Sequence, residues 1–252
     1  MAAYAADASL KGKLRRRYSR LMHRRTVHAR PERPMVTFSF DDAPASAARA
    51  GAALLEARGV HGTWFISAGM VGGAGDMGPM ADAADIRRLL AAGHEIGCHT
   101  RSHLDCGRAG AGEINADVAA NAAGLAEFGA RMPETFAYPY GDVSPAAKQV
   151  LAPRYFLLRA LHHGLIEPGA DLNQAPAVGI EGDDGQAVAA RWIQRALDRC
   201  AWLILYTHDV QESPSAWGCT PEVLEGLIDM AIRGGADIVT AAEGCHRIGP
   251  AY

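Results

Sequence analysis

The stretch Met35-Val36-Thr37-Phe38-Ser39-Phe40-Asp41-Asp42-Ala43-Pro44 decides the fold. Residues 35–40 are a short apolar run of β-leaning side chains, two adjacent carboxylates follow, and Pro44 marks the end of regular strand. Successive side chains on a strand point to opposite faces, so neighbouring aspartates serve one site only where the strand is finishing. Residues 45–58 then have helical composition and stop at Gly59. The same unit repeats outward. Further strands are predicted at 63–66, 94–98, 135–138, 155–159, 177–180, 202–206 and 237–240. Helices are predicted at 82–92, 113–128, 144–151, 186–199 and 221–233, with a glycine-rich loop over 69–78. Strands separated by helices predict an α/β fold with a parallel sheet and right-handed crossovers. No glycine-rich phosphate loop follows the first strand, so a closed barrel is expected over an open dinucleotide-binding sheet.

The chain has 252 residues, 49% of them hydrophobic and 21% charged, which suits one large domain and excludes a disordered chain. No apolar stretch approaches the ~20 residues needed to cross a bilayer, and no secretory signal pattern opens the sequence. Five cysteines without regular spacing argue against a disulfide framework and fit a reducing, cytoplasmic compartment. Residues 1–33 hold ten of the 25 Lys and Arg but only two of the 28 acids. They are expected to form a basic arm or amphipathic helix ahead of a catalytic domain over 34–252. Leu10, Leu14, Tyr18, Leu21 and Met22 recur there at helical spacing, opposite a cationic face. Such a helix would rest on anionic membrane through residues 10–30, at the inner membrane face, or pack on its own acidic domain. Nucleic acid is not an expected partner, because the acidic body repels phosphate.

In folds of this class chemistry collects at the carboxyl ends of the strands. Four such ends carry polar residues: Asp41-Asp42, His99-Thr100-Arg101-Ser102-His103, Pro139-Tyr140-Gly141 and Thr207-His208-Asp209. Each alone has a plain explanation, respectively a helix N-cap, incidental histidines, a turn and a loop cap. Their joint appearance at the ends of different strands does not.

The combination resembles the polysaccharide deacetylase family (NodB homology domain, carbohydrate esterase family 4). Ser39-Phe40-Asp41-Asp42 matches its first motif, His99-Thr100-Arg101-Ser102-His103 its second, Pro139-Tyr140-Gly141 its third, and Leu203-Ile204-Leu205-Tyr206-Thr207-His208 its fifth. The resemblance implies a distorted (β/α) barrel of about seven parallel strands. It also implies metal-dependent removal of an acetyl or similar acyl group from an amino sugar, a glycan or a glycan precursor. By resemblance Asp42, His99 and His103 hold one divalent metal ion, Asp41 is the catalytic base, His208 protonates the departing amine, and the Tyr140 backbone N–H stabilises the oxyanion. A two-histidine, one-carboxylate set leaves coordination positions open and suits zinc or another first-row ion.

Two departures accompany the match. The family's motif-three arginine is replaced by Ala137, which would raise the Asp41 pKa unless another cation stands in. The motif-four aspartate that supports the catalytic histidine is not recognisable, leaving Asp171 and Asp209 as candidates. His94 is expected to be structural, His162-His163 stay unassigned, and Trp217 is either a sugar platform or a loop anchor. The alternatives to a glycan deacetylase are an amidase or deformylase acting on a small amide, and a non-catalytic carbohydrate-binding descendant.

Overall fold

In the computed structural model, which describes Gly12 and residues 17–249, the seven expected strands curl into a distorted half-barrel. The strands are β1 (Met35–Asp41), β2 (Thr63–Ile66), β3 (Ala74–Gly75), β4 (Gly78–Pro79), β5 (Glu95–Cys98), β6 (Thr135–Ala137), β7 (Leu157–Arg159), β8 (Val178–Gly179), β9 (Trp202–Thr207) and β10 (Asp237–Ile238). The order across the sheet is β7-β6-β5-β2-β1-β9-β8, all parallel, with β10 pairing the start of β1. β3 and β4 form a separate antiparallel hairpin inside the glycine-rich loop. Residues 175–179 draw the two edges together. The Ala175 N–H donates to the Leu158 carbonyl of β7 (2.8 Å) and its carbonyl accepts from the Ala160 N–H just past β7 (2.8 Å), while Val178 pairs with Leu205 of β9.

Among the described residues from Met35 onward, seven α-helices cover the strands: α1 (Ala52–Glu56), continuous with a π-helical turn over Ala47–Gly51, α2 (Ala83–Ala91), α3 (Ala111–Glu127), α4 (Pro145–Leu151), α5 (Gly185–Arg199), α6 (Pro221–Arg233) and α7 (Ala241–Ile248). Their starts are chemically marked. Asp82 and Asp85 form a capping box at α2, while Ser144 and Thr220 cap helices that open with proline. Because both sheet faces are covered, β1 and β9 are buried along their whole length.

Strand alternation sorts the core into two layers. Val36, Phe38 and Phe40 of β1, with Trp64, Ile66, Leu203 and Leu205, face the helices. Met35, Phe65, Ala137, Leu157, Ile204 and Tyr206 fill the barrel interior. By the same alternation Thr37, Ser39 and Asp41 share the inner face with Met35. Trp202 donates its indole N–H to Thr37 (2.9 Å), and Ser39 donates to the Leu205 carbonyl (2.8 Å), so these buried hydroxyls are satisfied.

The sequence-predicted amphipathic helix lies partly outside the described residues, as do Leu10 and Leu14. From residue 17 onward the arm packs on the domain. Ser19 is fully buried and donates to the Val143 carbonyl (3.0 Å), and Lys148 donates to the Ser19 carbonyl (2.6 Å). Arg25 donates to the carbonyls of Tyr155 and Ala152. Among the described residues no helix is long and apolar enough to cross a membrane.

The amino-terminal end of the barrel is closed by a polar plug. Glu95 opens β5, and its carboxylate accepts from Thr63 at the start of β2 (2.8 Å), Thr135 at the start of β6 (2.5 Å) and the Ala242 N–H of α7 (2.9 Å). Burial nevertheless raises the Glu95 pKa above its ordinary 4.5, outweighing these three donors. A raised carboxyl pKa stabilises the fold most below the unfolded value, and that share is lost as pH rises through the folded value. The isosteric, uncharged Glu95→Gln should lack this loss, so urea unfolding should show its stability gaining on the wild type as pH rises above about 4.5.

Candidate active site

Three strand ends turn abruptly at the mouth of the barrel. Of seven described non-glycine residues with positive φ, five lie here: Asp42 (61°), Ala43 (57°), Thr100 (60°), His103 (56°) and Tyr140 (59°). Left-handed backbone costs about 1–3 kcal/mol per such residue and persists only where surrounding contacts enforce it. The Ala43 N–H closes onto the Asp41 carbonyl (2.7 Å), and the Ala43 carbonyl accepts from Ala81 (2.9 Å). Asp117 of α3 accepts from the Arg101 and Ser102 N–H groups, and the Thr100 hydroxyl accepts from Leu104 (2.8 Å). The corner at Asp42 therefore swings its side chain away from the helix layer that strand alternation would assign it.

Asp42 meets both histidines there. Its Oδ1 stands 3.5 Å from His99 Nε2 and 3.3 Å from His103 Nε2, and all three residues can offer one atom each to a common ion. His99 Nδ1 bonds the Ala137 carbonyl (2.8 Å), which assigns the proton to Nδ1 and leaves a lone pair on Nε2. Burial lowers the His99 pKa to about 4, so the ring is neutral at ordinary pH. Asp42 Oδ1 is buried and has no hydrogen-bond partner. A carboxylate oxygen facing an imidazole lone pair at such range is repulsive unless a cation lies between them. Donors about 2.05 Å from a tetrahedral ion stand about 3.3–3.4 Å apart, so the residues fit a zinc-like ion.

Asp41, on the inner face, is 3% exposed and receives Arg159 Nη2 at 2.5 Å. Burial alone would raise its pKa, but the Arg159 guanidinium, with His99 and His208, outweighs burial and holds it below the ordinary 3.8. Arg159 is fully buried, and its guanidinium lies 5.2 Å from the Phe65 ring centroid and 5.4 Å from that of Tyr206. Sequence reasoning missed this residue. The lost motif-three arginine is restored one strand over, since Ala137 of β6 and Arg159 of β7 are register neighbours. The available signal was parity: Arg159 closes β7 on the same face as Leu157.

His208, beyond β9, has Nδ1 3.2 Å from the Trp217 carbonyl and 3.9 Å from Glu181 Oε2. Glu181 also accepts from the Tyr206 hydroxyl (2.9 Å), and burial raises its pKa. Glu181 is thus the carboxylate beside His208, and neither sequence candidate is. Asp209 is occupied by Ser215 and Gln211, and Asp171 by Lys148 and the Arg25 N–H. Both belong to loops held from other sides. Tyr140 sits at the rim, 37% exposed, with its ring edge-on to His103 at 4.5 Å. Trp217 is 40% exposed at the same rim. His94 is structural: it accepts from the Gly62 N–H (3.0 Å) and meets Glu56 (3.0 Å).

The polysaccharide deacetylase family model matches residues 28–153. No curated protein matches the chain. Among solved structures, a Mycobacterium smegmatis protein described as a polysaccharide deacetylase superposes with TM-score 0.67 at 15% identity, over 88% of this chain and 94% of the other. A family 4 acetyl xylan esterase from Clostridium thermocellum, in complex with a cobalt ion, gives 0.56 at 24% identity over 83% and 89%. IcaB from Ammonifex degensii gives 0.54 at 26% identity over 61% and 71%.

The Asp41–Arg159 pair can be tested without turnover. Removing one partner of a buried ion pair costs about 3–5 kcal/mol, because the remaining charge is stranded. In the wild type a depressed Asp41 pKa adds stability above the unfolded value of 3.8, which is lost as pH falls through the folded one. Arg159→Met leaves burial to raise that pKa instead. Its deficit in urea unfolding, with chelator present, should be largest at neutral pH and shrink as acid protonates Asp41.

Proposed function

Since the chain belongs to the polysaccharide deacetylase family (NodB homology domain, carbohydrate esterase family 4), we propose that it is a metal-dependent hydrolase that removes an acetyl or similar acyl group from an amino sugar, a glycan or a glycan precursor. One observation carries this reading: the buried Asp42 oxygen, without a protein partner, faced by two imidazole nitrogens beside a second, ionised aspartate.

Asp42, His99 and His103 would hold the ion, and the spacing of their donor atoms favours zinc. When bound, such a cation polarises an acyl carbonyl and lowers the pKa of water. Asp41, kept ionised by Arg159, accepts the proton of the attacking water. The Tyr140 N–H, in its left-handed turn, would donate to the oxygen on which negative charge grows. His208 delivers a proton to the departing amine, which leaves poorly as an anion. Glu181 and the Trp217 carbonyl orient that imidazole through Nδ1, leaving Nε2 for the substrate side. Tyr140 and Trp217 offer half-exposed rings at the rim, the kind of surface on which sugar faces rest. The five cysteines are free, four of them buried, in keeping with a reducing compartment.

Metal analysis joined to a panel of N-acetyl sugars, formamido sugars and cyclic amides tests this. Turnover confined to formamido sugars or cyclic amides would replace the deacetylase reading by the deformylase or amidase one. Stoichiometric metal with no turnover would leave a non-catalytic carbohydrate binder. Asp42→Ala, His99→Ala and His103→Ala should each strip metal and activity together, since three ligands are the minimum set. Asp41→Asn should keep the metal and lose about 10²–10⁴-fold in kcat, the usual share of a general base. Full activity in Asp41→Asn would remove the proton-accepting role.

A further inference from the structure

Beside the barrel mouth, on the seam between the arm and the domain, lies a second cleft of about 270 Å³. Its polar lining is Arg20 and Arg24 from the arm, His162 and His163 from the loop after β7, and Asp171 and Gln174 from the edge-bridging segment. The lining is cationic. Asp171 is already neutralised by buried Lys148 (2.7 Å), and Arg24 spends one nitrogen on the Gly169 carbonyl (2.6 Å). The Arg20 guanidinium makes no hydrogen bond or ion pair among the described residues.

Two buried groups in this lining also lack partners. Gln174 is 9% exposed with Oε1 unpartnered, and His162 Nδ1 is buried and unpartnered. A buried amide oxygen or ring nitrogen left without a partner opposes folding, and a side-chain amide can turn to present either its nitrogen or its oxygen. Burial, with the nearby Arg20 charge, lowers the His162 pKa against the opposing pull of Asp171, so the ring is kept uncharged and Arg20 and Arg24 supply the positive charge of the cleft. Polar side chains held together against both desolvation and repulsion await a ligand that supplies negative charge and acceptor oxygens.

The geometry points to an oxyanion subsite, in which Arg20, Arg24, His162 and Gln174 hold a phosphoryl group carried by the saccharide substrate. A phosphoryl group brings up to two charges and three acceptor oxygens, against one charge and two oxygens for a carboxylate, and matches two guanidinium forks plus an imidazole. The cleft adjoins the candidate active site. His162 follows Arg159, which holds Asp41, by three positions, a backbone span of at most about 11 Å. Between them Leu161 packs against Gly141, the neighbour of Tyr140. One phosphorylated saccharide can therefore reach both places. This substrate class rests on the deacylase reading above; binding of phosphate in the cleft does not.

Titration of the full chain with inorganic phosphate, followed calorimetrically, should show saturable binding that weakens about tenfold or more in Arg20→Gln. Arg20→Lys should recover part of it. The Arg20 dependence separates the cleft from phosphate drawn to the metal ligands, and an exposed side chain that makes no hydrogen bond or ion pair among the described residues can be changed without unfolding the domain. Binding equal in wild type and Arg20→Gln, or none in either, overturns the subsite. For the source of the phosphoryl group, kcat/KM on N-acetylglucosamine 1-phosphate should fall in Arg20→Gln relative to kcat/KM on N-acetylglucosamine. An unchanged ratio, with sedimentation onto phosphatidylglycerol vesicles falling instead, would transfer the subsite to a lipid headgroup and overturn the substrate assignment. Because the titration needs no turnover, failure of the deacetylase reading leaves Arg20-dependent phosphate binding standing. Failure of the subsite leaves turnover of unphosphorylated sugars standing.

Discussion

A buried carboxylate stays ionised only beside a cation, and the mouth of this barrel places two carboxylates in succession. Asp41 has its cation in the protein, the Arg159 guanidinium, itself buried under the rings of Phe65 and Tyr206. Asp42 has none. Its inner oxygen faces two imidazole nitrogens, one of which is held as a lone pair by the Ala137 carbonyl. The two neighbours are thereby separated in role by environment alone. One is balanced from within and stays ionised, and the other keeps a buried oxygen without a protein partner.

The backbone around them has the same logic. Left-handed residues are rare outside glycine, yet they concentrate at the three strand ends that carry Asp42, His103 and Tyr140. The strain is borne by the rest of the barrel: buried layers on both faces of β1 and β9, and hydrogen bonds from Asp117 that fix the loop between the two histidines. At the opposite end the strands start on a different polar cluster. Glu95, Thr63 and Thr135 join the sheet to the start of α7, with no strained backbone among them. Stability and chemistry occupy opposite ends of one set of strands, as expected for this architecture.

The basic arm joins this scheme as a structural part. Ser19, Arg25 and Lys148 tie it to the segment between β6 and β7. Docked there, it adds Arg20 and Arg24 to a rim that would otherwise be defined by the loop after β7 alone. Of the described basic residues of the arm, Arg20 and Arg24 stand beside the loop after β7, whereas Arg33 meets Asp237 at the start of β10.

By itself the sequence determined the alternation of strands and helices, the parallel sheet, and the strand ends carrying Asp41-Asp42, His99, His103, Tyr140 and His208. Those follow from local periodicity and from turn chemistry that no distant residue alters. It also showed that an arginine and a supporting acid were missing from their usual places, without showing where their replacements stood. Only the tertiary structure decided that Arg159 and Glu181 fill them, and that Asp171 and Asp209 do not. The reason is that a compensating charge acts through space. Arg159 reaches Asp41 across 118 positions of chain because β7 and β1 face one interior, and that distance leaves no mark in local sequence pattern.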